Sequence, residues 1–245
     1  KSDKLKKIQK LKINNDKVKW INKISEINNG PLIFLGNEFF DSLPIKQIYK
    51  KNNTFFEKHI TLSKKNNKKF EFLYKKAESK LIKNIKKLNF ISNKRIIEYP
   101  TNAINYLKII SKKIKKYDGG LLILDYGYTK QKNTSTLESV VKHKYQNIFS
   151  NLGDADITSH VNYKLFTNFL SKENLKVKKI VTQNEFLQRL GIIERANILS
   201  KNISFKAKAN MFYRIKRLLD YNEMGILFKV MFAKKKGKKF SLGFK

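Results

Sequence analysis

The sequence contains no cysteine and only three histidines. Without thiolates, neither a disulfide framework nor a cysteine-based zinc site can form, and three scattered histidines cannot replace the missing ligands. We therefore assign no metal site. The sequence has no apolar run of the roughly 18 residues that a transmembrane helix needs. Its first ten residues, KSDKLKKIQK, lack the apolar segment of a signal peptide.

Acidic residues are also scarce. The sequence has 19 aspartates and glutamates against 54 lysines and arginines, which gives a formal charge of +35. Such a balance usually indicates a nucleic acid or an anionic membrane as partner. Only five of the basic residues are arginine, however, and phosphate and base recognition relies on the planar arginine fork. The abundant lysine, asparagine and isoleucine can all be encoded with A and T alone. We therefore do not expect nucleic-acid binding, and keep a lysine-rich nucleic-acid-binding protein as an alternative.

The length and the apolar content predict a globular α/β protein. In 245 residues, 41% are hydrophobic, which is enough for a core, and no repeat or linker divides the chain, so we predict a single domain over residues 1–245. The apolar runs LIFL (32–35) and LLILD (121–125) read as buried parallel strands covered on both faces. Between them, a helix is predicted after Pro100 and before Gly119 and Gly120, because apolar residues recur there at helical spacing, namely Ala103, Tyr106, Leu107, Ile110 and Ile114. This is the pattern of a βαβ crossover.

Other segments give weaker signals. We predict helices and strands from their apolar periodicity. The predicted helices cover residues 4–13, 161–170, 184–192 and 212–219, and the predicted strands cover residues 17–21, 45–49, 69–74, 176–181 and 224–233.

Polar residues follow the first apolar strand in the segment GNEFFD (36–41). In parallel sheets, ligands bind outside the carboxyl ends of the strands, which is where Asn37, Glu38 and Asp41 lie in the sequence. These residues are candidates for a site. On the local residues alone, an equally good interpretation is that Asn37 and Asp41 cap a following helix and that Glu38 lies near its positive end.

A second candidate group follows the other apolar strand. Tyr126 and Tyr128 come directly after Asp125, and Asp156 and His160 follow in the polar segment GDADITSH. The tyrosines can border a channel, and a histidine can relay a proton. The alternatives are a strand-ending turn for the tyrosines, a helix cap for Asp156, and a cap or core role for His160.

Five motifs in this order are specific enough to suggest a family. GNEFFDSLPIKQ, GGLLILDYGYT, GDADITSHVNY, TQNEFLQRLGI and EMGILFKVMF resemble the MidA/NDUFAF7-type family of class I S-adenosylmethionine-dependent methyltransferases. The resemblance runs through the whole chain. It implies a Rossmann-like, seven-stranded methyltransferase sheet with added helices, and S-adenosylmethionine as methyl donor. In the mitochondrial members it implies a protein arginine of a complex I subunit as the acceptor during assembly.

The sequence departs from the family pattern at its beginning. The family pattern opens with a strand and a Gly-rich turn, whereas residues 1–31 contain Gly30 as their single glycine. KSDKLKKIQK resembles the helix after the second strand of the family. We therefore expect an N-terminally truncated family member that lacks the first strand, the Gly-rich turn, most of the second strand and any targeting segment. The fragment itself is expected to be inactive.

The resemblance also assigns roles to the candidate residues. Glu38 and Asp41 would bind a guanidinium, because charge-assisted bonds to its planar fork hold and orient it. Asn37 would orient the acceptor, and Gly36 and Asn37 would contact the cofactor. The approach would be lined by Tyr126, Tyr128, Asp156 and His160.

The family and the composition together favour a bacterial cytoplasm, with the mitochondrial matrix as alternative. A non-catalytic assembly chaperone or scaffold is the second functional hypothesis.

Overall fold

A computed structural model describes residues 3–65, 69–89, 95–130, 132–142, 144–237 and 242–244. The helices are α1 (Asp3–Lys12), α2 (Ser79–Lys87), α3 (Thr101–Tyr117), α4 (Tyr163–Lys172), α5 (Gln183–Arg189), α6 (Ile192–Leu199), α7 (Phe205–Leu219) and α8 (Met224–Leu227). The strands are β1 (Leu32–Asn37), β2 (Lys46–Lys51), β3 (Thr54–Leu62), β4 (Phe70–Lys76), β5 (Ile96–Tyr99), β6 (Gly119–Tyr128), β7 (Glu138–Val141), β8 (Lys144–Gln146), β9 (Asp156–Thr158), β10 (Val161–Asn162), β11 (Leu175–Val177), β12 (Val181–Thr182) and β13 (Phe228–Lys235).

The central sheet has the order β1-β6-β13-β11, with the short strands β10 and β12 paired to β6 and β13. β1 and β6 are parallel, in a register that pairs Leu32 with Gly119 and Asn37 with Leu124. After β1 the chain passes through β2–β5 and α2 before α3 leads directly into β6. The predicted βαβ crossover, a helix between two parallel strands, is therefore confirmed, with further elements inserted before the helix. β13 runs antiparallel to β6. The described part of this sheet has six strands, whereas the resemblance implies seven.

Helix α3 supplies much of the core because its apolar residues recur at intervals of three and four. Ala103, Leu107, Ile110 and Ile114 are buried, as the sequence predicts. They belong to one cluster with buried residues of β6, α4 and β13. A smaller cluster, formed by Val181, Phe186, Val230, Phe232 and Phe244, contacts the half-buried Leu122 and Leu124 of β6. The central strand β6 is therefore packed on both faces.

Strand β1 differs from its prediction. Among the described residues it pairs with β6 alone, so it lies at the edge of the sheet. Phe34 packs against the main core, whereas Ile33 is 70% exposed and Leu35 66% exposed on the opposite face. The prediction of a central strand covered on both faces is wrong for the described residues, because an apolar run does not specify how many neighbours a strand has.

Two antiparallel sheets lie outside the central one. Their orders are β4-β3-β2-β5 and β8-β7-β9. The predicted strands at residues 45–49 and 69–74 are confirmed as β2 and β4, while β3 between them is missed by the prediction.

The other predictions hold in part. The N-terminal helix and the helix near Val161 are confirmed, but residues 17–21 form no strand. The final strand begins at Phe228, after the short helix α8. None of the helices in the described ranges is long and apolar enough to cross a membrane.

Candidate functional site

Asp125 connects the carboxyl ends of the two parallel strands. It lies near the end of β6 and is fully buried. Its Oδ2 accepts hydrogen bonds from the backbone N–H groups of Phe40 (3.1 Å) and Asp41 (3.2 Å), and its Oδ1 accepts one from the N–H of Tyr126 (2.9 Å). One carboxyl group thus holds the loop after β1 against the end of β6.

The environment of Asp125 disfavours its charged form. Burial, followed by the nearby charge of Asp41, raises the pKa of Asp125 to about 7, although the three backbone N–H bonds act in the opposite direction. The carboxyl pair that the structure brings together is therefore Asp41 and Asp125, a pair that the sequence analysis did not predict.

Asp41 is buried with one oxygen satisfied and the other not. Its Oδ2 accepts a 2.6 Å hydrogen bond from the hydroxyl of Tyr126, and its backbone carbonyl accepts one from the N–H of Ser159 (3.1 Å). Its Oδ1 is buried and has no hydrogen-bond partner among the described residues. A buried carboxylate oxygen without a donor is costly, so Oδ1 of Asp41 needs a hydrogen-bond donor that the described residues do not supply.

The hydroxyl of Tyr126 is expected to contribute measurably to stability. Burial and the hydrogen bond to Asp41 both raise the pKa of Tyr126, so the hydroxyl stays protonated and donates at neutral pH. Tyr126→Phe would leave Asp41 buried without its donor, and we expect the free energy of unfolding to fall by about 2 kcal/mol. Urea unfolding at pH 7 measures this loss. Tyr221→Phe, at an exposed tyrosine, is the control; equal losses in both variants would contradict the expectation.

Asn37 and Glu38 lie at the exposed tip of β1. Glu38 has a φ of 44°, in the left-handed region, and its N–H donates to the carbonyl of Leu124 (3.0 Å). The chain then passes through turns directly into β2. The alternative in which Asn37 and Asp41 cap a following helix is therefore wrong. Glu38 is exposed whereas Asp41 is buried, so the two predicted carboxylates lie in different environments.

The two phenylalanines of the loop also differ. Phe40 is buried with its ring 5.2 Å from that of Phe166, while the ring of Phe39 remains partly exposed and lies 5.3 Å from that of Tyr106. A Cβ added to Gly36 would lie 3.1 Å from the ring of Phe40. Close packing against this ring is thus a structural reason for glycine at position 36, beside the predicted cofactor contact.

His160 lies beside Tyr126, with 5.4 Å between ring centroids. Burial, together with the charges of Lys132 and Lys229, lowers the pKa of His160 to about 4. Its Nδ1 is 3.4 Å from Nζ of Lys132, and its Nε2 is 3.9 Å from a carboxylate oxygen of Glu138. His160 is therefore neutral at pH 7 and a weak base, which disfavours the predicted role as a proton relay.

Of the two remaining predicted residues, Tyr128 lies near the candidate site and Asp156 does not. The hydroxyl of Tyr128 accepts a hydrogen bond from the side chain of Asn162 (3.0 Å), and Asn162 also caps α4 by accepting from the N–H of Leu165. Asp156 lies exposed on β9, where it pairs with Val140. Asp156 therefore neither caps α4 nor forms an ion pair with a described residue.

A further buried carboxyl group, that of Glu98, lies close by and was missed by the sequence analysis. Glu98 on β5 accepts hydrogen bonds from Gln47 (2.8 Å) and from both the N–H (2.9 Å) and the hydroxyl (2.6 Å) of Thr136. The Thr136 hydroxyl in turn accepts from the N–H of His160 (3.1 Å). The sequence feature that could have identified Glu98 is an acidic residue inside the apolar segment IIEY. Glu98 connects the four-stranded sheet to the candidate site.

Gly127 is required by a close backbone approach. A Cβ at this position would overlap the carbonyl oxygen of Val161, which β10 places opposite it, and would lie 2.9 Å from the ring of Tyr163. We expect Gly127→Ala to lower the free energy of unfolding by about 2 kcal/mol, because the added methyl group overpacks β6 against β10.

Chemical unfolding of both glycine variants tests this. Gly36→Ala is the matched control, because its new Cβ would meet the movable ring of Phe40 rather than backbone. A cost for Gly127→Ala no larger than that for Gly36→Ala would contradict the explanation.

No group of histidine, aspartate and glutamate side chains within the described ranges is arranged to hold a metal ion. The polar groups fit an organic ligand better, since exposed Asn37 and Glu38 and the unsatisfied Oδ1 of Asp41 all follow β1. These residues could hold one side of a cofactor or acceptor.

Comparisons with known proteins agree on one family. The model of a family described as "Putative S-adenosyl-L-methionine-dependent methyltransferase" matches residues 1–181. Over 212 residues the chain is 27% identical to the mitochondrial protein arginine methyltransferase NDUFAF7 homolog of Caenorhabditis elegans, covering 86% of this chain and 49% of that protein. For NDUFAF7 of Xenopus tropicalis the identity is 27% over 214 residues, with 86% and 48% covered. The chain thus spans about half the length of the curated relatives it matches.

Two solved structures from Burkholderia thailandensis share the fold. One was crystallised with S-adenosyl-homocysteine and superposes with a TM-score of 0.71 at 19% identity, covering 93% of this chain and 57% of that one. The other, a native crystal structure of the same superfamily, gives a TM-score of 0.77 at 21% identity, with 97% and 64% covered. This likeness supports the predicted Rossmann-like α/β methyltransferase fold.

Proposed function

The chain belongs to this S-adenosyl-L-methionine-dependent methyltransferase family, and from that membership we propose that the whole protein methylates an arginine of a protein substrate. The curated relatives named above are protein arginine methyltransferases. The observation that carries the proposal is the placement of exposed Glu38 and the unsatisfied Oδ1 of Asp41 after β1, beside the end of β6. A subunit of respiratory complex I, as in the resemblance, is the proposed substrate.

The residues of the chain would hold the acceptor rather than perform covalent chemistry. A guanidinium carries five N–H donors, so the carboxylates of Glu38 and Asp41 can accept from it and fix the orientation of its nitrogen. Asn37 would orient the same group, and Gly36 and Asn37 would contact the cofactor. S-adenosylmethionine supplies the methyl group when bound.

The other side of the acceptor site would be formed by aromatic and polar residues. Tyr126 is proposed to line the approach, and its hydroxyl also fixes Asp41. Tyr128, Asp156 and neutral His160 complete the proposed lining. We propose a bacterial cytoplasm as the compartment, with the mitochondrial matrix as the alternative, since the named relatives are mitochondrial.

The whole protein can be tested with methyl-labelled S-adenosylmethionine and a purified complex I core subunit. We expect the label on an arginine of that subunit, located by mass spectrometry. Cofactor binding without any labelled arginine would overturn the arginine assignment. Failure to bind S-adenosylmethionine would instead favour the non-catalytic scaffold hypothesis.

A further inference from the structure

A cavity of about 530 Å³ lies between α2, α3 and α4, beside the paired ends of β2 and β5. Pockets that bind small molecules have volumes of this order. The buried residues of its lining are all apolar or aromatic, namely Leu81, Leu88, Tyr99, Ile104 and Phe169. They come from three separate helical segments and from β5, so an apolar group inside the cavity would be packed from several sides.

The charged part of the lining has an excess of positive charge. Five lysines and two glutamates line the cavity. Two of these groups are paired with residues outside the lining, since Lys46 donates to Glu57 (2.6 Å) and Glu173 accepts from Lys115 (3.2 Å). Among the other charged groups of the lining, Glu78 is the single acid. The lysines of the lining that form no ion pair with a described residue are Lys80, Lys87, Lys108 and Lys172. We call this space the lysine cavity.

The lysine cavity combines two requirements for a ligand. Each lysine Nζ carries three donors and no acceptor, so a carboxylate or phosphate oxygen is the group that satisfies it. The sequence is rich in lysine throughout, and positive charge alone would not identify a site. The buried apolar residues of the same lining add the second requirement, which a simple inorganic anion does not meet. A matching ligand is therefore both anionic and apolar.

The ligands of the proposed reaction do not match the lysine cavity. S-adenosylmethionine carries a sulfonium and an ammonium group against one carboxylate, and the guanidinium of arginine is a cation. The residues proposed to hold them, Asn37, Glu38 and Asp41, do not line the cavity. The lysine cavity is therefore separate from the candidate site.

We propose that the lysine cavity binds a small amphipathic anion, in which a carboxylate or phosphate is attached to an apolar chain or ring. The apolar part contacts the buried lining residues and is itself removed from water. The anionic group lies at the exposed rim, where the lysines donate charge-assisted hydrogen bonds to it. This binding needs neither cofactor nor methyl transfer, so it goes beyond the proposed function.

Isothermal titration calorimetry with the 245-residue chain tests the proposal. The probes are dodecanoate and dodecyl phosphate, kept below the concentrations at which they form micelles. The controls are acetate, which lacks the apolar part, and dodecyltrimethylammonium, which carries the opposite charge. We expect at least one of the two anions to occupy a single site, at least about tenfold more tightly than either control binds. The anion that binds more tightly identifies the head group.

Matched lysine variants locate the site. Lys87→Gln combined with Lys108→Gln is expected to weaken binding of the anion about tenfold, because charge-assisted hydrogen bonds are lost. Lys86→Gln combined with Lys112→Gln removes the same charge from exposed positions of the same two helices. These two positions lie outside the lining, so the affinity is expected to stay unchanged.

A variant that fills the cavity gives an independent test. Asn84 is exposed and lines the cavity, so Asn84→Trp is expected to weaken binding at least about tenfold by occupying the space of the apolar chain. Asn102→Trp makes the same change at an exposed position of α3 outside the lining, and is expected to leave binding unchanged. Circular dichroism melting checks that each variant is folded.

The absence of a single site for either anion would overturn the proposal. Binding of a control compound as tight as that of the anions, or equal effects of the two variants within either matched pair, would overturn it as well. Competition between dodecanoate and S-adenosylmethionine in the whole protein would place the anion in the cofactor site instead. Binding of phosphatidylglycerol vesicles without binding of either dissolved anion would make the lysine cavity a membrane contact.

Discussion

Glu38→Gln in the whole protein is expected to slow arginine methylation at least about a hundredfold, while the affinity for S-adenosylmethionine stays unchanged. Glu38 is exposed after β1, so its carboxylate can reach a substrate guanidinium. The amide of glutamine keeps the shape but loses the charge and one acceptor, so the nitrogen is no longer held in line. Asp41 alone would then bind the guanidinium.

Single-turnover methylation, together with calorimetric cofactor binding, measures both quantities. Glu71→Gln is the control, because Glu71 is an exposed glutamate on β4, away from the candidate site. Full activity of the Glu38 variant would remove this residue from the proposed site. Loss of cofactor affinity in parallel would show that Glu38 contacts the cofactor rather than the arginine.

His160→Gln is expected to make the protein less sensitive to acid. The pKa of His160 is lowered to about 4 by burial and by two lysines, compared with an ordinary value near 6.5. Between pH 6.5 and pH 4, His160 is protonated in the unfolded chain but stays neutral in the folded chain. Stability is therefore lost as the pH falls through this window, by about 3 kcal/mol in total.

Denaturant unfolding of both proteins at pH 7.5 and pH 4 measures the difference. Asp125 acts with the opposite sign, because its raised pKa of about 7 makes stability fall as the pH rises from about 4 to 7. That contribution is present in both proteins and cancels in the comparison. The variant should lose about 3 kcal/mol less than the parent chain between the two pH values. Parallel losses would contradict the assigned burial of His160.

The elements that the sequence predicts well are those with a strong local signal. The apolar runs of β1 and β6 and the helical spacing of Ala103, Leu107, Ile110 and Ile114 suffice for the βαβ unit. Their relative position follows from the handedness of crossovers, so no further information is required. For the same reason the carboxyl ends of β1 and β6 were expected to meet, and Asp125 joins them by accepting from the N–H groups of Phe40 and Asp41.

The parts that could not be predicted depend on contacts between distant segments. Asp125 holds the loop after β1 by accepting from Phe40 and Asp41, and no local pattern shows that this carboxyl group accepts three backbone N–H bonds. The same holds for Glu98, whose partners lie in β2 and in a loop about forty positions later. The roles of Glu38, Asp41 and Asn37 stay predictions.

The edge position of β1 has a consequence for handling the polypeptide at high concentration. Ile33 and Leu35 lie exposed beside a row of backbone groups that pair with no described strand. Two copies of the chain that pair along this row would form one continuous sheet, as unprotected edge strands commonly do. Light scattering should therefore rise with protein concentration, and Ile33→Lys should suppress that rise.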